Sequence, residues 1–583
     1  MKKQLLKAML LVGCLLCNLQ LSASPVHPGV WKVITLTDGT KVNAQLVGDE
    51  WLSFYRDSLG NVYTLEVNTP NEKLYALRTA EHLRGLVKKA NASREPAKAM
   101  KPPKTMRKAM NHSFYDGFRG KKRGLIILAN FKDKKYRTTN PKAFFSRVAN
   151  ELNFTQGNYK KSVRDYFLRQ SYGRFDIEFD VIGPVELPDS MAKYGAPEGS
   201  RHDVRAAYMV RDAVYQVADS VDFSDYDWDG DDEVDNIFVL YAGYNQAEGG
   251  SEDTVWPHKW TLSAGTGSAL RANGVRINTY ACSSELRGSS GSTTCGIGTI
   301  CHEFTHCLGL PDIYPTSGGA GFSVVDEWDL MDGGNYTAKG WCPPNYSALE
   351  RMLMGWSSPT ELTEARNVAG MMSLNDGGET FIIRNPGHEN EFYLLENRQQ
   401  NGWDYATPGK GLLIIYVDYD KEVWSNNTVN TSRSHYRYDL FHADGKNYKD
   451  WDPLENGQDF GKYTMEGWVR NRYLSTSPYP YRNDSTGITN DALMNESDPA
   501  ATLYYENTDG LKYMSKPITG IQMDDDGIVS FDFMMDPWGM ETRMVDGGNK
   551  TADGWYDLQG RRLQGRPQRK GLYIHNGQKE SIR

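Results

Sequence analysis

Hydrophobic and polar residues alternate along the first part of the chain, from about Pro25 to Ala80. Turn residues at Asp38-Gly39 and Leu59-Gly60 separate these runs. Apolar residues at every second position between turns are typical of strands with one buried face. The pattern predicts a small N-terminal unit of antiparallel strands.

Longer apolar runs and helical spacing follow in the middle of the chain. The runs "GLIILANFKD" from Gly124 and "IFVLYAG" from Ile237 are typical of strands buried on both faces. Helical spacing is present at Val163, Tyr166 and Phe167. Strands and helices are therefore expected together in this part of the chain.

Short alternating runs return after Trp356, in "ETFIIRN", "EFYLLEN" and "GLLIIYVDY". Gly, Asn and Asp separate them, which favours a β-sandwich with a long aromatic-rich insertion. A short tail with the pattern of a hairpin unit ends the chain. The predicted organisation is multidomain α+β, with a signal peptide at 1–24, a β-rich propeptide and basic linker at 25–118, a catalytic domain at 119–358, a β-sandwich domain at 359–536 and a tail at 537–583.

The first residues have the three-part pattern of a secretory signal peptide. Lys2, Lys3 and Lys7 precede an apolar block, and small residues follow around Ala23. Cys14 ends the sequence "LVGC", which also resembles a lipoprotein box, so lipid anchoring is the alternative to a free mature protein. The basic, proline-containing stretch before residue 124 is typical of a linker open to proteolytic processing.

Charge and composition limit the classes of function. The 583 residues carry a net charge of -8, which argues against general nucleic-acid binding, and no internal apolar stretch is long enough to span a membrane. Two of the seven cysteines, Cys14 and Cys17, fall in the leader and leave five. Cys282 and Cys295 are a plausible disulfide pair in an oxidising compartment.

The sequence "TICHEFTHCLGLPDIYP" contains the residues that point most directly to chemistry. On a helix, His302 and His306 lie on the same face and can present two imidazole nitrogens to one metal ion. Glu303 lies one position along, within reach of a metal-bound water. The apolar residues Ile300 and Phe304 support such a helix.

The residues that follow supply a third ligand. Gly309 can take the left-handed conformation that ends a helix abruptly, and Pro311 prevents the helix from resuming. Asp312 then adds a carboxylate, so the segment predicts a zinc site with two nitrogens, one oxygen and a fourth position for water. The alternative for Asp312 is a carboxylate that holds the loop after the helix.

A second metal signal lies in "DYDWDGDDEVDN". Asp225, Asp227, Asp229 and Asp231 occur at alternate positions, and Gly230 permits a sharp turn. This matches the first half of a calcium loop, although the twelfth residue is Asn rather than Glu. We expect structural calcium here, with Glu233 and Asp235 as further ligands, and a solvated acidic turn is the alternative.

The segment "HEFTHCLGLPDIY" resembles the zinc motif of the immune inhibitor A family of secreted bacterial metalloproteases, which are metzincin-like zincins. Further segments resemble the family's catalytic domain, so that the similarity covers roughly residues 120 to 415: they are "SVRDYFLRQSYGRF", "DYDWDGDDEVDNIFVLYAG", "VWPHKW", "EWDLMDGG" and "PPNYSALERMLMGW".

The resemblance implies zinc ligands at His302 and His306, a general base at Glu303 and a methionine beneath the metal at Met331. Typical metzincins have a third histidine where this chain has Asp312. Glu327 and Asp329 are therefore the alternatives for the third ligand. Tyr336, just beyond Met331, is either a donor to the oxyanion or a structural tyrosine.

We therefore expect a secreted zinc-dependent endopeptidase that acts on proteins or peptides, made as a zymogen and active in the extracellular space or at the cell surface. The predicted propeptide contains no cysteine, so if it blocks the metal, a carboxylate or a steric plug must do so. The tail resembles C-terminal sorting segments of type IX-secreted proteins. The alternative function is a surface adhesin or carbohydrate-binding protein with a vestigial zincin domain.

Overall fold

The computed structural model describes residues 22–27, 29–50, 52–69, 71–94, 119–197, 203–316, 324–432, 434–446 and 474–535, with short pieces between 555 and 582. The predicted signal peptide up to residue 21, including Cys14, lies outside the described residues. The linker from 95 to 118 and the aromatic-rich stretch from 447 to 473 lie outside them as well. Every helix in the described ranges is too short or too polar to cross a lipid bilayer.

Five antiparallel strands form an N-terminal sheet in the order β2-β3-β4-β5-β6. The elements of this part are β1 (Ser22–Ala23), which joins another sheet, β2 (Trp31–Thr35), β3 (Lys41–Gly48), β4 (Ser53–Asp57), β5 (Val62–Asn68), β6 (Lys73–Arg78) and the helix α1 (Ala80–Arg94). Gly39 has a φ of 85° in the turn between β2 and β3, a conformation that favours glycine. The predicted antiparallel strands are present.

The central sheet has six strands in the order β1-β10-β13-β9-β7-β8. The strands and helices of this part are β7 (Gly120–Asn130), α2 (Pro141–Asn150), α3 (Val163–Gln170), β8 (Phe175–Glu186), α4 (Met191–Gly195), α5 (Ala206–Val217), β9 (Ile237–Tyr244), β10 (His258–Thr261), α6 (Leu262–Thr266), β11 (Leu270–Ala272), β12 (Val275–Ile277), β13 (Thr279–Leu286), α7 (Gly298–Cys307) and α8 (Ala348–Leu353). β7, β8, β9 and β13 are parallel, whereas β10 is antiparallel to β13 and β1 is antiparallel to β10.

Both faces of the central sheet are covered, as the continuous apolar run of β7 predicts. Ile126 and Leu128 belong to the same hydrophobic cluster as residues of α2, α3 and α7. The intervening Leu125 and Ile127 belong to a second cluster, together with residues of α5. Helix α3 begins with a capping box between Ser162 and Asp165, so the predicted helix is present.

Two larger sheets and one two-stranded sheet follow. Their elements are β14 (Thr360–Glu361), β15 (Arg366–Met371), β16 (Phe381–Asn385), β17 (His388–Arg398), β18 (Gly411–Asp418), α9 (Lys421–Ser425), β19 (Tyr438–Leu440), β20 (Tyr481–Asn483), β21 (Ile488–Asn490), β22 (Ile518–Met523) and β23 (Val529–Phe533). One sheet has the order β14-β16-β17-β18-β19, the other β15-β23-β22, and β20 pairs with β21.

The five-stranded sheet lies between two hydrophobic clusters. Tyr393 and Leu395 of β17 share a cluster with β22 and β23. Phe392 and Leu394, on the opposite face of the same strand, share the cluster of α3 and α7. One face of this sheet is therefore continuous with the core beneath the candidate site, and the described chain is a mixed α/β protein.

The described parts of the tail form a four-stranded antiparallel sheet, β24 (Trp555–Tyr556), β25 (Arg562–Leu563), β26 (Gly571–His575) and β27 (Gln578–Ile582), in the order β25-β24-β26-β27. Pairing of β26 with β27 agrees with the hairpin predicted from the sequence. The remaining tail residues lie outside the described part of the chain.

The predicted disulfide between Cys282 and Cys295 is wrong. All five described cysteines are buried free thiols. Cys282 Sγ lies 3.5 Å from His258 Nδ1, whereas Cys295 Sγ lies 3.2 Å from Ser284 Oγ. The two thiols therefore have different packing partners, and they act as small buried residues.

Candidate active site

Helix α7 positions the two predicted zinc-binding histidines. Gly298 in its first turn lies so close to a neighbouring loop that a Cβ there would be 1.9 Å from Asn335 O. The helix ends at Cys307, and Gly309 takes a φ of 105° just beyond it. The predicted helix end at Gly309 is therefore confirmed, and the chain turns back so that Asp312 approaches the helix.

His302, His306 and Asp312 converge on one point. His302 Nε2 lies 3.2 Å from His306 Nε2, and Asp312 Oδ1 lies 3.3 Å from the first and 3.0 Å from the second. All three side chains are buried. Ligand atoms about 2.0–2.1 Å from a tetrahedral zinc ion lie about 3.3 Å from one another, so this spacing fits such an ion.

Hydrogen bonds on the far side of each ring fix the ring orientations. His302 Nδ1 lies 2.7 Å from Leu330 O, and His306 Nδ1 lies 2.8 Å from Leu310 O. Because a carbonyl only accepts, each neutral ring carries its hydrogen on Nδ1 and directs the lone pair of Nε2 at the centre. Asp312 Oδ1 is buried there without a hydrogen-bond donor. Two lone pairs and an unsatisfied carboxylate oxygen are a donor set for a cation.

The charge on Asp312 agrees with this arrangement. Burial alone would raise the pKa of its carboxyl, but in the absence of a metal, protonated His306 and His302 outweigh burial through their charge and hydrogen bonds and hold that pKa below its usual value. Asp312 therefore stays ionised at the centre of the cluster, as a metal ligand must.

The turn around Met331 lies directly against His302. Leu330 supplies the carbonyl that accepts from His302, and Met331 N donates to Asp329 Oδ1 at 2.8 Å. Asp329 Oδ2 accepts a hydrogen bond from Tyr438 Oη at 3.0 Å. Asp329 thus holds the turn, whereas the group of potential metal ligands found in the described residues contains Asp312 and neither Asp329 nor Glu327.

Glu303 is buried beside the cluster and contacts the N-terminal segment. Its Oε1 accepts hydrogen bonds from Ser24 N at 2.9 Å and Ser24 Oγ at 2.7 Å. Its Oε2 is buried without a hydrogen-bond partner. Burial raises the pKa of Glu303, an effect that His302, His306 and Ser24 partly offset. A carboxylate with a raised pKa can both take up and release a proton near neutral pH.

The N-terminal segment from Ser22 to Pro25 lies beside the cluster, against β10 and Glu303. β1 pairs with the edge strand β10, with Ala23 opposite His258. Tyr314 donates to Ala23 O, Trp256 Nε1 donates to Ser24 O at 2.8 Å, and Tyr336 Oη donates to Pro25 O at 2.6 Å. The sequence pattern assigned Ser24 to the end of a signal peptide and gave no sign of these contacts. Small residues fit a narrow cleft as well as they fit a cleavage site.

The acidic loop brings together three of its four predicted calcium ligands. Carboxylate oxygens of Asp227, Asp229 and Asp231 lie within 4.8 Å of one another. Asp225 lies outside this group, and its carboxylate pairs with Arg123. The alternate spacing could not reveal this basic residue from β7, and calcium binding by Asp225 stays a prediction.

The two further predicted ligands also have other partners. Glu233 pairs with Arg276 at 2.7 Å, and Asp235 Oδ2 accepts from Trp228 N at 2.6 Å. Burial, followed by repulsion from Asp229, Asp227 and Asp231, raises the pKa of Asp235 to about 7. The three grouped aspartates therefore add to the effect of burial on the pKa of the Asp235 carboxyl.

Comparison with known proteins identifies the region that carries the site. Residues 114–354 match the family described as immune inhibitor A peptidase M6, catalytic domain. Immune inhibitor A of Bacillus thuringiensis subsp. alesti is 24% identical over an alignment of 276 residues, and the match covers 40% of this chain and 39% of that protein. Pre-pro-metalloprotease PrtV of Vibrio cholerae serotype O1 (strain M66-2) is 25% identical over an alignment of 202 residues, and the match covers 30% of this chain and 22% of PrtV.

The matches thus span well under half the length of these curated relatives. The family match covers the strands of the central sheet from β7 to β13, the helix with both histidines, Asp312 and the turn around Met331. A metallopeptidase domain accounts for the convergent donor set. Residues 114–354 of this chain are therefore similar to the catalytic domain of the immune inhibitor A peptidases, a similarity that supports a metallopeptidase.

Proposed function

We propose that the protein is a secreted zinc endopeptidase made as a zymogen, in which His302, His306 and Asp312 hold zinc and Glu303 is the general base. The observation that carries the proposal is the buried cluster of His302 Nε2, His306 Nε2 and Asp312 Oδ1, which lie 3.0–3.3 Å from one another. Glu303 directly follows His302 in the sequence. A bound zinc ion would polarise the substrate carbonyl and lower the pKa of the attacking water.

The chain's own groups supply proton transfer and orientation. Glu303 accepts the proton of the attacking water on a carboxylate oxygen and passes it to the leaving amine. Its raised pKa suits both steps. Tyr336 Oη, which donates to Pro25 O, is available to a substrate carbonyl once the N-terminal segment leaves. The hydrogen bond from Met331 N to Asp329 holds the turn, and the carbonyl of Leu330 in this turn orients His302.

Contacts of the N-terminal segment support two parts of the proposal, peptide binding at the edge of the central sheet and latency of the unprocessed enzyme. β1 binds β10 as an added antiparallel strand, which is how an extended peptide uses an exposed sheet edge. Ser24 N and Ser24 Oγ both donate hydrogen bonds to Glu303 Oε1. A substrate therefore cannot reach this oxygen of the base while the segment is bound. Latency of this kind needs neither a cysteine nor a carboxylate on the metal. Of the two mechanisms predicted from the sequence, a carboxylate and a steric plug, it corresponds to the steric plug.

Contacts farther along the N-terminal part hold the plug in place. Tyr55 Oη donates to Glu252 Oε1 at 2.9 Å, and Tyr75 donates to the same carboxylate. Lys32 Nζ donates to Gly250 O at 2.5 Å. On this basis we assign residues 22–118 as the propeptide, three residues longer than the predicted 25–118, because Ser22, Ala23 and Ser24 make the contacts of the plug. The name of the Vibrio relative likewise describes a pre-pro-protein.

The rest of the predicted organisation belongs to the same proposal. Residues 119–358 form the metzincin-like catalytic domain, and residues 359–536 form a β-sandwich, supported by the hydrophobic cluster shared between the two C-terminal sheets. The predicted signal peptide directs secretion and is cleaved before Ser22 rather than after residue 24, and residues 537–583 direct the protein to the extracellular space or cell surface.

We further propose structural calcium at Asp227, Asp229 and Asp231. Three carboxylates within 4.8 Å repel one another unless a cation lies between them. Calcium takes carboxylate and backbone oxygens, and the sharp turn at Gly230, with a φ of 69°, allows the loop to wrap around an ion.

Hydrolysis of casein or gelatin by processed protein tests the function. We expect activity that a zinc chelator removes, that zinc restores, and that Glu303→Ala abolishes while the zinc content stays near one per chain. Undiminished hydrolysis by Glu303→Ala would refute the assignment. A fully processed, zinc-loaded protein without hydrolytic activity would favour the adhesin.

A further inference from the structure

A residue from outside the matched catalytic domain contacts the third ligand through two hydrogen bonds. Asp312 N donates to Asn427 Oδ1 at 2.6 Å, and Asn427 Nδ2 donates to Asp312 Oδ2 at 2.7 Å. The two residues are 115 positions apart in the chain. Asp312 is fully buried and Asn427 is 9% exposed.

This pair of bonds determines which carboxylate oxygen faces the histidines. Asn427 Nδ2 holds Oδ2, so Oδ1 is the oxygen that points at His302 and His306. The bond from Asp312 N fixes the backbone of the same residue. With backbone and side chain both held, Asp312 loses little further freedom when it binds a cation.

Asn427 is itself held firmly. It lies just beyond α9, whose Trp424 is buried, and Thr316 Oγ1 donates to Asn427 O at 2.8 Å. Three positions along, Asn430 Nδ2 donates to Ile313 O at 2.9 Å. The connection between β18 and β19 is thus bonded to the loop that carries Asp312 at several points.

The conformation of Asn427 explains why an asparagine is suitable. Its φ is 51°, in the left-handed region that asparagine and glycine tolerate best. Of these two residues, only asparagine supplies both an acceptor for Asp312 N and a donor for Asp312 Oδ2. An aspartate would place a second carboxylate oxygen against Oδ2.

We propose that Asn427 is a positioning residue for the metal site, so that the β18–β19 connection completes a zinc site whose ligands all lie in the catalytic domain. This inference rests on the proposed function, because it takes Asp312 as a ligand. Hydrogen-bonded partners of metal ligands typically contribute about 10–100-fold to metal affinity, and we expect an effect of this size.

The test measures zinc affinity of the metal-free full chain by competition with a chromophoric chelator. Asn427→Gly keeps the left-handed backbone and removes both side-chain bonds to Asp312, together with the 3.2 Å bond from Asn427 Nδ2 to Ser22 Oγ. Asn427→Asp keeps the size and the acceptor but removes the donor. The matched control is Asn153→Gly, at an exposed residue with a φ of 58° in the loop before α3.

We expect zinc binding about 10–100-fold weaker in both Asn427 variants and unchanged in Asn153→Gly. The absorption spectrum of the cobalt-substituted protein should change in the Asn427 variants alone, because the ligand geometry changes, whereas a general loss of stability would leave that spectrum intact. Should Asn427→Gly fold poorly, Asn427→Asp carries the same comparison.

Zinc affinity within about twofold of wild type in both Asn427 variants, with the wild-type cobalt spectrum, would overturn the inference. Failure of the proposed function gives a different result: wild-type protein would then bind no zinc that His302→Ala removes. The two failures are therefore distinguishable in one set of titrations.

Discussion

Loss of the Ser24 hydroxyl should weaken latency by a predictable amount. Ser24→Ala removes the 2.7 Å bond to Glu303 Oε1 and keeps the 2.9 Å bond from Ser24 N. Both side chains are buried, so water does not replace the lost donor easily. A hydrogen bond to a charged group contributes about 1.5–3 kcal/mol, and each 1.4 kcal/mol corresponds to tenfold in an equilibrium constant.

The fraction of chains with an open cleft should therefore rise about 10–100-fold. The assay is hydrolysis of a quenched fluorescent peptide by unprocessed chain, with intact mass confirming that no cleavage has occurred. Ser58→Ala, in a turn of the N-terminal sheet, is the control and should leave the rate unchanged. A rate for Ser24→Ala within about twofold of the unprocessed wild type would refute the reasoning that Ser24 blocks Glu303.

Three further predictions concern other parts of the molecule. Arg398→Met should destabilise the fold by about 3–5 kcal/mol in chemical denaturation, because it leaves Glu396 and Asp404, both 0% exposed, buried without their cation. Tyr336→Phe should lower kcat about 100-fold with little change in KM, and an equal fall in the control Tyr405→Phe would contradict a role in the cleft. The pKa of Asp235, raised to about 7 by burial and the neighbouring aspartates, exceeds its unfolded value near 4, so stability should fall as pH rises from about 4 to 7 in chelator. Calcium should remove that fall in thermal unfolding, and a calcium-independent pH profile would contradict the site.

Local patterns predicted the elements that local forces determine. The continuous apolar run of β7 reflects burial on both faces, by α2 and α3 on one side and α5 on the other. The helix spacing of α3 and the chain reversal at Gly309 follow from side-chain periodicity and from the conformational freedom of glycine. These features need no knowledge of distant residues.

Contacts between distant residues could not be read in the same way. Ser24 meets Glu303 across 279 positions and Asn427 meets Asp312 across 115, and neither residue lies in a motif. Asp225 has the spacing of a calcium ligand but pairs with Arg123 of β7. Cys282 and Cys295 are close in sequence, yet each packs among its own neighbours. Tertiary packing alone determines these partners.

The central claim is that His302, His306 and Asp312 hold one zinc ion, and anomalous diffraction at the zinc absorption edge tests it most directly. Crystals of the full chain grown with zinc should show a single strong anomalous peak between His302 Nε2, His306 Nε2 and Asp312 Oδ1, and His306→Ala should remove it. Stoichiometric zinc bound elsewhere in the chain, with no peak among these three atoms, would contradict the account.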